Sequence, residues 1–373
     1  MASRGLVLVL LASSFACGKL PTEVSHGGSS GDDAGPGAGG TPPVGTVTFV
    51  DGVTVSTLAG SDSTGSQDGT GSGASFDNPT GIALDGAGNL VVVDYDDAVV
   101  RLVTPQGVVT SVASATNFVD PFDVVVASDG TYYVGTDADA TGTKTFTTGT
   151  VWQVVPLQGG GLATPTVVSA GFSRPRGLAL AGGGALFVSD RDESVVDMQP
   201  TAASSPSLLA GISGSQGYQD GTGGAAQFNT PVGVAALPDG SFAVADSFNN
   251  RIRRVTSSGD VSTLAGDGTW ALNDGPAASA QFARPSAVAA DAAGNVYVSD
   301  IDNHRIRRID TAGNVETIAG DGNASYADGP GNVAELYGQE GIAVTPDGKT
   351  LYVADGNGGD GSAHSHVRVI AIP

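Results

Sequence analysis

The stretch DSFNNRIRRVTSSGDVSTLAGDGTWALNDGPAASAQFARP (residues 246–285) is followed closely by a second version of itself, DIDNHRIRRIDTAGNVETIAGDGNASYADGPGNVAEL (300–336). Both versions place an arginine-rich segment, a glycine turn and a second apolar segment in the same order. Self-similarity at a fixed period is the signature of a repeat architecture. The same unit is therefore expected elsewhere in the 373-residue chain.

A short apolar segment that ends in aspartate marks most of the units. Its copies end at Asp94, Asp190, Asp246, Asp300 and Asp355. The last four follow one another at intervals of about 55 residues, which is a blade-sized period. The longer interval after the first copy holds GTYYVGT (130–136), where Thr136 replaces the aspartate. Six units result, and segments that are apolar on both faces suit sheets packed between two others.

Each unit has the pattern of four short strands separated by glycine turns. The pattern predicts an all-β fold, a six-bladed β-propeller of four-stranded antiparallel blades. The sixth unit ends at HVRVIAIP (366–373) with only three strands, whereas VTVSTLAG (53–60) stands alone before the first unit. We therefore predict that this N-terminal strand completes the last blade and closes the ring, which leaves no open sheet edge.

With DSFNNRIRRV and DIDNHRIRRI as its clearest copies, the sequence resembles the NHL repeat family, and we assign residues 46–373 to an NHL-type propeller. The family includes soluble and membrane-tethered binding domains, RNA-binding domains of tripartite-motif proteins, and a zinc-dependent lyase of peptide amidation. In the two clearest units an arginine stands five residues after the strand aspartate. We expect Arg251 to pair with Asp246 and Arg305 with Asp300 inside the blade. The corresponding positions of three other units hold Val99, Val195 and His366.

The N-terminal residues predict export. Residues 1–17, MASRGLVLVLLASSFAC, combine a positive start, an apolar stretch too short to span a bilayer and a small residue before Cys17. This pattern resembles a bacterial lipoprotein signal and predicts lipidation of Cys17 and membrane anchoring in the cell envelope, although an ordinary signal peptide with an incidental cysteine is the alternative. Residues 18–45 are rich in Gly, Ser and Pro, which is typical of a flexible tether.

The composition restricts the partners. The chain has 38 acidic and 16 basic residues, a formal charge of −22. A surface of this charge repels phosphate, so nucleic-acid binding is not expected, and the membrane is contacted only through the lipid anchor. A single cysteine excludes an internal disulfide bond. We expect a monomer.

The long connections predict where a ligand binds. The loops between second and third strands and the crossovers between blades lie on one end of the ring, and we expect all the long connections there. Four crossovers share the spacing D-G-x4-A-x-[FL], in which the last residues, Phe76, Phe228, Phe282 and Leu336, are expected to pack between blades. The turn chemistry does not require Tyr218, Trp270 or Tyr326, so we predict that they contact a protein, peptide or glycan ligand. Packing within the loops is the alternative.

The sequence also offers charged and metal-binding candidates. Arg254 and Arg308, with the neighbouring Arg253 and Arg307, form a local basic patch that suits an anionic partner, or else a solvated strand face. Outside the tether only His304, His364 and His366 are available to a zinc site, and no nucleophile motif is present. Asp355, Asn357 and Asp360 loosely resemble a calcium loop without its final glutamate, and a plain flexible loop is the alternative.

The sequence therefore predicts an envelope-tethered binding module without a required cofactor, which is more consistent with a binding protein than with an enzyme. Two alternatives stay open. One is a metal-dependent hydrolase or lyase of the six-bladed propeller type, acting on a lactone or a peptide-derived substrate. The other is a structural scaffold of an envelope complex.

Overall fold

A computed structural model describes residues 40–145, 148–199, 206–356 and 364–373. The candidate lipidation residue Cys17, most of the tether, and two of the calcium candidates, Asn357 and Asp360, lie outside the described residues. The described strands form six antiparallel sheets, one per sequence unit. The prediction of an all-β, six-bladed propeller is therefore confirmed.

The strands follow the order of the repeats. β1 (Thr54–Ser61) precedes the units. Blade 1 contains β2 (Gly69–Thr70), β3 (Pro79–Leu84), β4 (Leu90–Asp94), β5 (Val99–Val103) and β6 (Val108–Ser114); blade 2 contains β7 (Pro121–Val126), β8 (Tyr132–Thr136), β9 (Gly149–Val154) and β10 (Thr166–Phe172). Blade 3 contains β11 (Pro175–Leu180), β12 (Leu186–Asp190), β13 (Val195–Gln199) and β14 (Ser207–Gly211); blade 4 contains β15 (Gly221–Thr222), β16 (Pro231–Ala236), β17 (Phe242–Asp246), β18 (Arg251–Val255) and β19 (Asp260–Ala265).

Blades 5 and 6 complete the ring. Blade 5 contains β20 (Gly275–Pro276), β21 (Pro285–Ala290), β22 (Val296–Asp300), β23 (Arg305–Ile309) and β24 (Asn314–Ala319); blade 6 contains β25 (Gly329–Pro330), β26 (Gly338–Val344), β27 (Thr350–Gly356) and β28 (Ser365–Ala371). The described helices are 3-10 turns at Gly71–Gly73, Gly182–Gly184, Gly223–Ala225, Ser247–Asn249 and Ile301–Asn303. None of them has the length or the apolar composition needed to cross a membrane.

β1 closes the ring as predicted. It pairs antiparallel with β28, from Thr54 opposite Ala371 to Ser61 opposite Ser365, and so becomes the fourth strand of blade 6. Its side chains enter the cores between blades, because Val55 is 3% exposed and Ala59 is fully buried. The first and last of the described strands therefore belong to one sheet.

Four blades contain a fifth strand that the four-stranded pattern does not include. The two-residue strands β2, β15, β20 and β25 come from the long crossover loops and cover the outer edges of blades 1, 4, 5 and 6. The crossovers that enter blades 2 and 3 span only residues 115–120 and 173–174, too short to reach an outer edge. Among the described strands, the last ones of these two blades are therefore their fourth strands, β10 and β14.

The prediction that all long connections lie on one end of the ring is wrong in blade 2. There the connection between the third and fourth strands, residues 155–165, is on the short-turn end. This connection is long because it reaches across to blade 1, where the Ala163 amide donates to the Val112 carbonyl at 2.8 Å. Val155 and Leu157 within it are 59% and 51% exposed.

The crossover motif packs between blades as predicted. Phe76, Phe228, Phe282 and Leu336 are all fully buried. Phe228, for example, packs with Phe187 of blade 3 and Phe242 of blade 4. Burial of such large side chains stabilises each seam and holds the crossover loop against it.

The chain begins to contact the propeller before residue 46. The Gly45 amide donates to the Leu272 carbonyl at 2.6 Å, and the Leu272 amide donates to the Pro43 carbonyl at 2.8 Å. Further along, the Thr317 amide of β24 donates to the Thr48 carbonyl at 3.0 Å. The segment that leads into β1 thus runs along the outside of blade 5.

Candidate ligand-binding face

A buried arginine fastens the crossover loop in four blades, an arrangement that we call the arginine latch. In blade 5, Arg307 donates to the Asp300 carboxylate at 2.7 Å, to the Asn273 carbonyl at 3.0 Å, and to Asp274 of the crossover. Asp274 also accepts from the Thr317 hydroxyl of β24 at 3.0 Å. One arginine therefore joins the second strand, the third strand and the loop of its blade.

The same contacts recur with different partners in the other three blades. The equivalent arginines are Arg101 in blade 1, Arg253 in blade 4 and Arg368 in blade 6. Their crossover aspartates are Asp68, Asp220 and Asp328. In blade 6 the hydroxyl that binds the crossover aspartate is that of Thr57 in β1, at 3.0 Å. The closing strand thus supplies a part of the latch as well as a strand.

The predicted pairing of Arg251 with Asp246 and of Arg305 with Asp300 is wrong. Arg251 begins its strand at the loop end, so its guanidinium donates to the carbonyls of Asn249 and Asp267 instead. Arg305 makes the same contacts with the carbonyls of Asn303 and Asp321. The arginine two residues further along each strand, Arg253 or Arg307, binds the strand aspartate inside the seam between blades.

The corrected spacing also changes which units carry the arginine. In blade 1, Arg101 stands seven residues after Asp94, the same spacing as between Asp300 and Arg307. In blade 6 the loop between the two strands is longer, and Arg368 binds Asp355 from the equivalent place. Blades 2 and 3 have Trp152 and Asp197 at this place. The signal was available in the sequence, because the Asp-Gly crossover occurs only in the four units that have the arginine.

Burial dominates the electrostatics of the latch. It raises the pKa of Asp300 to about 6, although the Arg307 charge and hydrogen bonds act in the opposite direction. Burial also raises the pKa of Asp246 and Asp355 above the usual range of a carboxyl. Each latch is therefore sensitive to the loss of its cation.

The three aromatic residues predicted to contact a ligand pack around the latches. The Arg251 guanidinium lies 3.8 Å from the centroid of the Tyr218 ring, and the Tyr218 hydroxyl contacts Thr263 at 2.9 Å. Tyr218 is nevertheless 43% exposed. The Trp270 indole donates to the Asp302 carboxylate at 2.9 Å, and its ring is half-buried.

Tyr326 is held more firmly. Its ring stacks on His366 at 4.1 Å, the Arg368 guanidinium lies 4.4 Å from its centroid, and its hydroxyl contacts Thr57. The ring is half-buried. Of the three aromatics, Tyr218 thus offers the largest exposed surface.

The predicted basic patch is divided. Arg253 and Arg307 are fully buried in latches. Arg254 pairs with Asp239 of the β16–β17 turn, which lies on the short-turn end of the ring. Arg308 donates to the Glu316 carboxylate of β24 at 2.7 Å. Arg254 and Arg308 therefore each face an acidic neighbour and lie apart from the three aromatics.

The histidines and the calcium candidate Asp355 have protein partners. His364 and His366 lie 3.5 and 3.6 Å from the Asp62 carboxylate, and burial lowers the pKa of His366 to about 4. Asp355 accepts from the Arg368 guanidinium at 2.7 Å. The described residues contain no group of three or more His, Cys, Asp or Glu side chains arranged to hold a metal ion. Calcium binding stays a prediction.

A central channel offers a cavity that the sequence did not reveal. The innermost strands β3, β7, β11, β16, β21 and β26 line it, and its volume is about 290 Å³. At the end that carries the crossovers, the lining residues are Thr80, Phe122, Arg176, Val232, Ser286 and Glu340. Deeper positions are occupied by Val, Ile, Leu and Ala side chains. The cavity thus has a largely apolar interior. At its mouth the polar side chains are themselves buried, and Tyr95 packs against Phe122 and Val232.

Cationic side chains gather at one side of this mouth. Asp137, which is 1% exposed, accepts from Arg176 at 2.8 Å and lies 3.7 Å from Arg174 and 4.0 Å from Lys144. The Arg176 guanidinium also lies 3.8 Å from the centroid of the Phe122 ring. Lys144 also pairs with Asp120 at 2.6 Å, and Arg174 lies 3.6 Å from Asp192, so the three cations belong to an ion-pair network with three carboxylates.

Acidic groups complete the polar wall of the channel. Glu340 lines the mouth from blade 6, on the opposite side of the ring from Arg176 of blade 3. In blade 2, Asp123 stands where the inner strands of blades 1, 3, 4 and 6 have glycine, and it accepts from the Leu178 amide at 2.8 Å. Burial raises the pKa of Asp123 to about 7. The wall therefore contains a carboxyl group that titrates near neutral pH.

The fold and the repeated latch define a six-bladed propeller of repeat units. The NHL repeat model matches residues 228–255 and 282–309, which lie in blades 4 and 5. The chain is therefore a β-propeller with NHL repeats in blades 4 and 5, and the prediction of NHL repeats is confirmed.

Two curated proteins are similar to part of the chain. The chloroplast protein SUPPRESSOR OF QUENCHING 1 of Arabidopsis thaliana is 32% identical over 169 residues, which is 40% of this chain and 16% of that protein. NHL repeat-containing protein 2 of Bos taurus is 32% identical over 146 residues, 35% of this chain and 20% of that protein. The chain thus matches a fifth or less of the length of each.

Solved structures share the fold at lower identity. A structural genomics protein from Bacteroides thetaiotaomicron has a TM-score of 0.68 at 23% identity, and an auxiliary nutrient binding protein from the same species has 0.66 at 16%. Both matches cover 86% of this chain and 76% of the other. A Xanthomonas campestris gluconolactonase has a TM-score of 0.56 at 13% identity, covering 90% of this chain and 95% of the enzyme. These matches support the propeller fold.

Proposed function

We propose that the propeller is a ligand-binding module of the bacterial cell envelope, tethered through Cys17, which binds a carboxylate-bearing ligand of peptide or glycan type at the channel mouth. The observation that carries the proposal is the gathering of Arg174, Arg176 and Lys144 around Asp137 at the opening of the cavity. A carboxylate on the ligand would compete with Asp137 for these donors. Arginine suits this role because its planar group binds carboxylates through paired hydrogen bonds.

The rest of the mouth supports a ligand with both polar and apolar parts. Phe122 and Tyr95 form an aromatic wall beside Arg176, and Glu340 places an acidic group on the opposite side of the ring. The rigid latches hold the surrounding loops in place, so that binding requires little ordering. Tyr218, on the crossover loop of blade 4, adds an exposed aromatic ring to the same end of the propeller.

The similarity to an auxiliary nutrient binding protein of the same fold supports a role in binding. The apolar N-terminal stretch before Cys17 and the Gly-rich segment after it support export and tethering. A tether would let the propeller sample ligands close to the membrane surface.

A thermal-shift screen tests the proposal. Purified protein without residues 1–17 is incubated with dipeptides, sugar acids and neutral oligosaccharides, since a ligand that binds only the folded state raises the melting temperature. We expect stabilisation by compounds that carry a carboxylate and none by their amidated or methyl-ester forms. Equal stabilisation by both forms would refute a carboxylate site. Turnover of any compound would favour the enzyme alternative instead.

A further inference from the structure

The outer edge of blade 3 lacks the cover that the crossover loop gives to four other blades. In blade 4, Gly221 and Thr222 of the loop pair with Val261 and Asp260 of the fourth strand. In the described residues β14 is the last strand of its sheet. Blade 2 also ends at its fourth strand, but two bulges interrupt β10, and bulges discourage further pairing. β14 has one bulge, as the covered strand β19 has.

Blade 3 also reverses the charge of the latch. Asp197 stands opposite Leu208, as Arg253 stands opposite Thr263 in blade 4. The cation of the latch is thus replaced by an anion, and the hydroxyl that would bind a loop aspartate is replaced by an apolar side chain. Leu208 is 53% exposed. The chain itself supplies no crossover aspartate here, because its crossover spans only residues 173–174.

Asp197 faces the seam between blades 2 and 3 without a partner. It lies opposite Val188, which packs with Phe172 of blade 2, and opposed residues of antiparallel strands point to the same side. Asp197 is 8% exposed and has no hydrogen bond or ion pair to any described residue. Ser169 lies opposite Val151 on the same seam, and its buried hydroxyl also has no hydrogen-bond partner in the described part of the chain.

Burial, together with the smaller effects of the Asp190 and Glu193 carboxylates, raises the pKa of Asp197 to about 7. A buried, unpaired carboxylate costs free energy unless a cation or a proton neutralises it. In the four blades that have an arginine latch, the arginine pairs with an aspartate on the segment that covers the edge. By the same geometry, a segment that covers β14 would supply a cation.

We propose that the outer edge of β14 binds an extended segment of a partner protein by strand addition, with an arginine or lysine of that segment paired to Asp197. The chain's own covering segment in blade 4, Asp220-Gly221-Thr222, is the template, with its acidic residue changed to a basic one. Strand addition supplies main-chain hydrogen bonds, and the buried ion pair supplies selectivity. A second copy of this chain fits less well, because β14, SLLAG, has no cation to offer.

This site is on the rim and is independent of the channel mouth. The probes are two labelled synthetic peptides: GYQRGTGG, and the chain's own sequence GYQDGTGG (217–224). Fluorescence anisotropy with the purified propeller should show roughly tenfold tighter binding of the arginine peptide at pH 8, where Asp197 is ionised. Asp197→Asn should abolish that preference, and Asp239→Asn, on the exposed short-turn end, should keep it.

A second variant tests the edge itself. Leu208→Lys places a cation beside Asp197. It should weaken binding of the arginine peptide, and the melting temperature of the propeller should be unchanged or higher. Equal binding of the two peptides to the wild-type protein, or no binding of either, would overturn the proposal. Light scattering provides a further test. A concentration-dependent dimer that is lost in Leu208→Lys would also overturn the proposal, because the edge would then bind a second copy of the chain.

Discussion

The Arg307 guanidinium donates to the Asp300 carboxylate at 2.7 Å, and both side chains are fully buried. Arg307 binds Asp274 of the crossover at the same time, so one cation serves two carboxylates in the seam between blades 4 and 5. Replacing the cation would leave both acids buried without a counter-charge. Removing one member of such a group is costly, even where the intact group adds little net stability.

Arg307→Met should therefore lower the free energy of unfolding by about 3–5 kcal/mol. The matched control is Arg308→Met, the next residue, whose partly exposed pair with Glu316 is worth less than about 1 kcal/mol. Urea unfolding followed by tryptophan fluorescence measures both. Similar losses in the two variants would contradict the latch.

Closure of the ring by β1 predicts that a charge introduced into this strand destabilises the propeller. Val55→Asp places a charge at a position that is 3% exposed between blades 5 and 6, and should cost more than about 3 kcal/mol. Val44→Asp, in the segment just before it, changes a side chain that is 59% exposed and should have little effect. Calorimetric melting that shows equal shifts for the two variants would argue against closure.

The raised pKa of Asp197 makes its contribution to folding stability depend on pH. Its pKa is raised to about 7 in the folded protein, so the folded state binds the proton more tightly than the unfolded state. The contribution of Asp197 to stability therefore falls as pH rises from about 4 towards 7. Asp197→Asn should melt at a higher temperature than wild type at pH 8, and the difference should shrink as pH falls towards 4. A difference that is constant between pH 4 and pH 8 would contradict the buried, unpaired carboxylate.

Cys17 lies outside the described residues, and its lipidation stays a prediction. Cys17→Ala should leave the propeller folded but move the protein from the membrane fraction to the soluble fraction, because the acyl chains supply the anchoring apolar surface. Fractionation followed by a carbonate wash measures this change. Retention of the variant on membranes would show that another part of the chain holds it there.

The repeats made the architecture predictable from the sequence. The strand aspartates recur at a regular spacing, and the unpaired segment 53–60 matches the fourth strand that the last unit lacks. The latch was missed because Arg251 is opposite Asp246 in the ladder, whereas Arg253 makes the contact. Adjacency in sequence does not show which long side chain crosses the seam.

The channel mouth was missed for a different reason. Its residues occupy equivalent places in the six inner strands but differ from blade to blade: Thr80, Phe122, Arg176, Val232, Ser286 and Glu340. Repeat detection depends on what the units share. The binding chemistry proposed here depends on where they differ, and only the closed ring shows that these six positions meet. Asp197 of blade 3 was missed in the same way.

The central claim is that a carboxylate-bearing ligand binds beside Arg176. Isothermal titration calorimetry, with the most stabilising compound of the thermal-shift screen, compares wild type with Arg176→Gln and with Arg254→Gln as the control on the short-turn end. Loss of one charge-assisted hydrogen bond should weaken binding by roughly tenfold or more in Arg176→Gln, with Arg254→Gln unchanged. Glu340→Gln provides a second variant of the mouth if Arg176→Gln does not fold. Wild-type affinity in both mouth variants would contradict binding at the channel mouth.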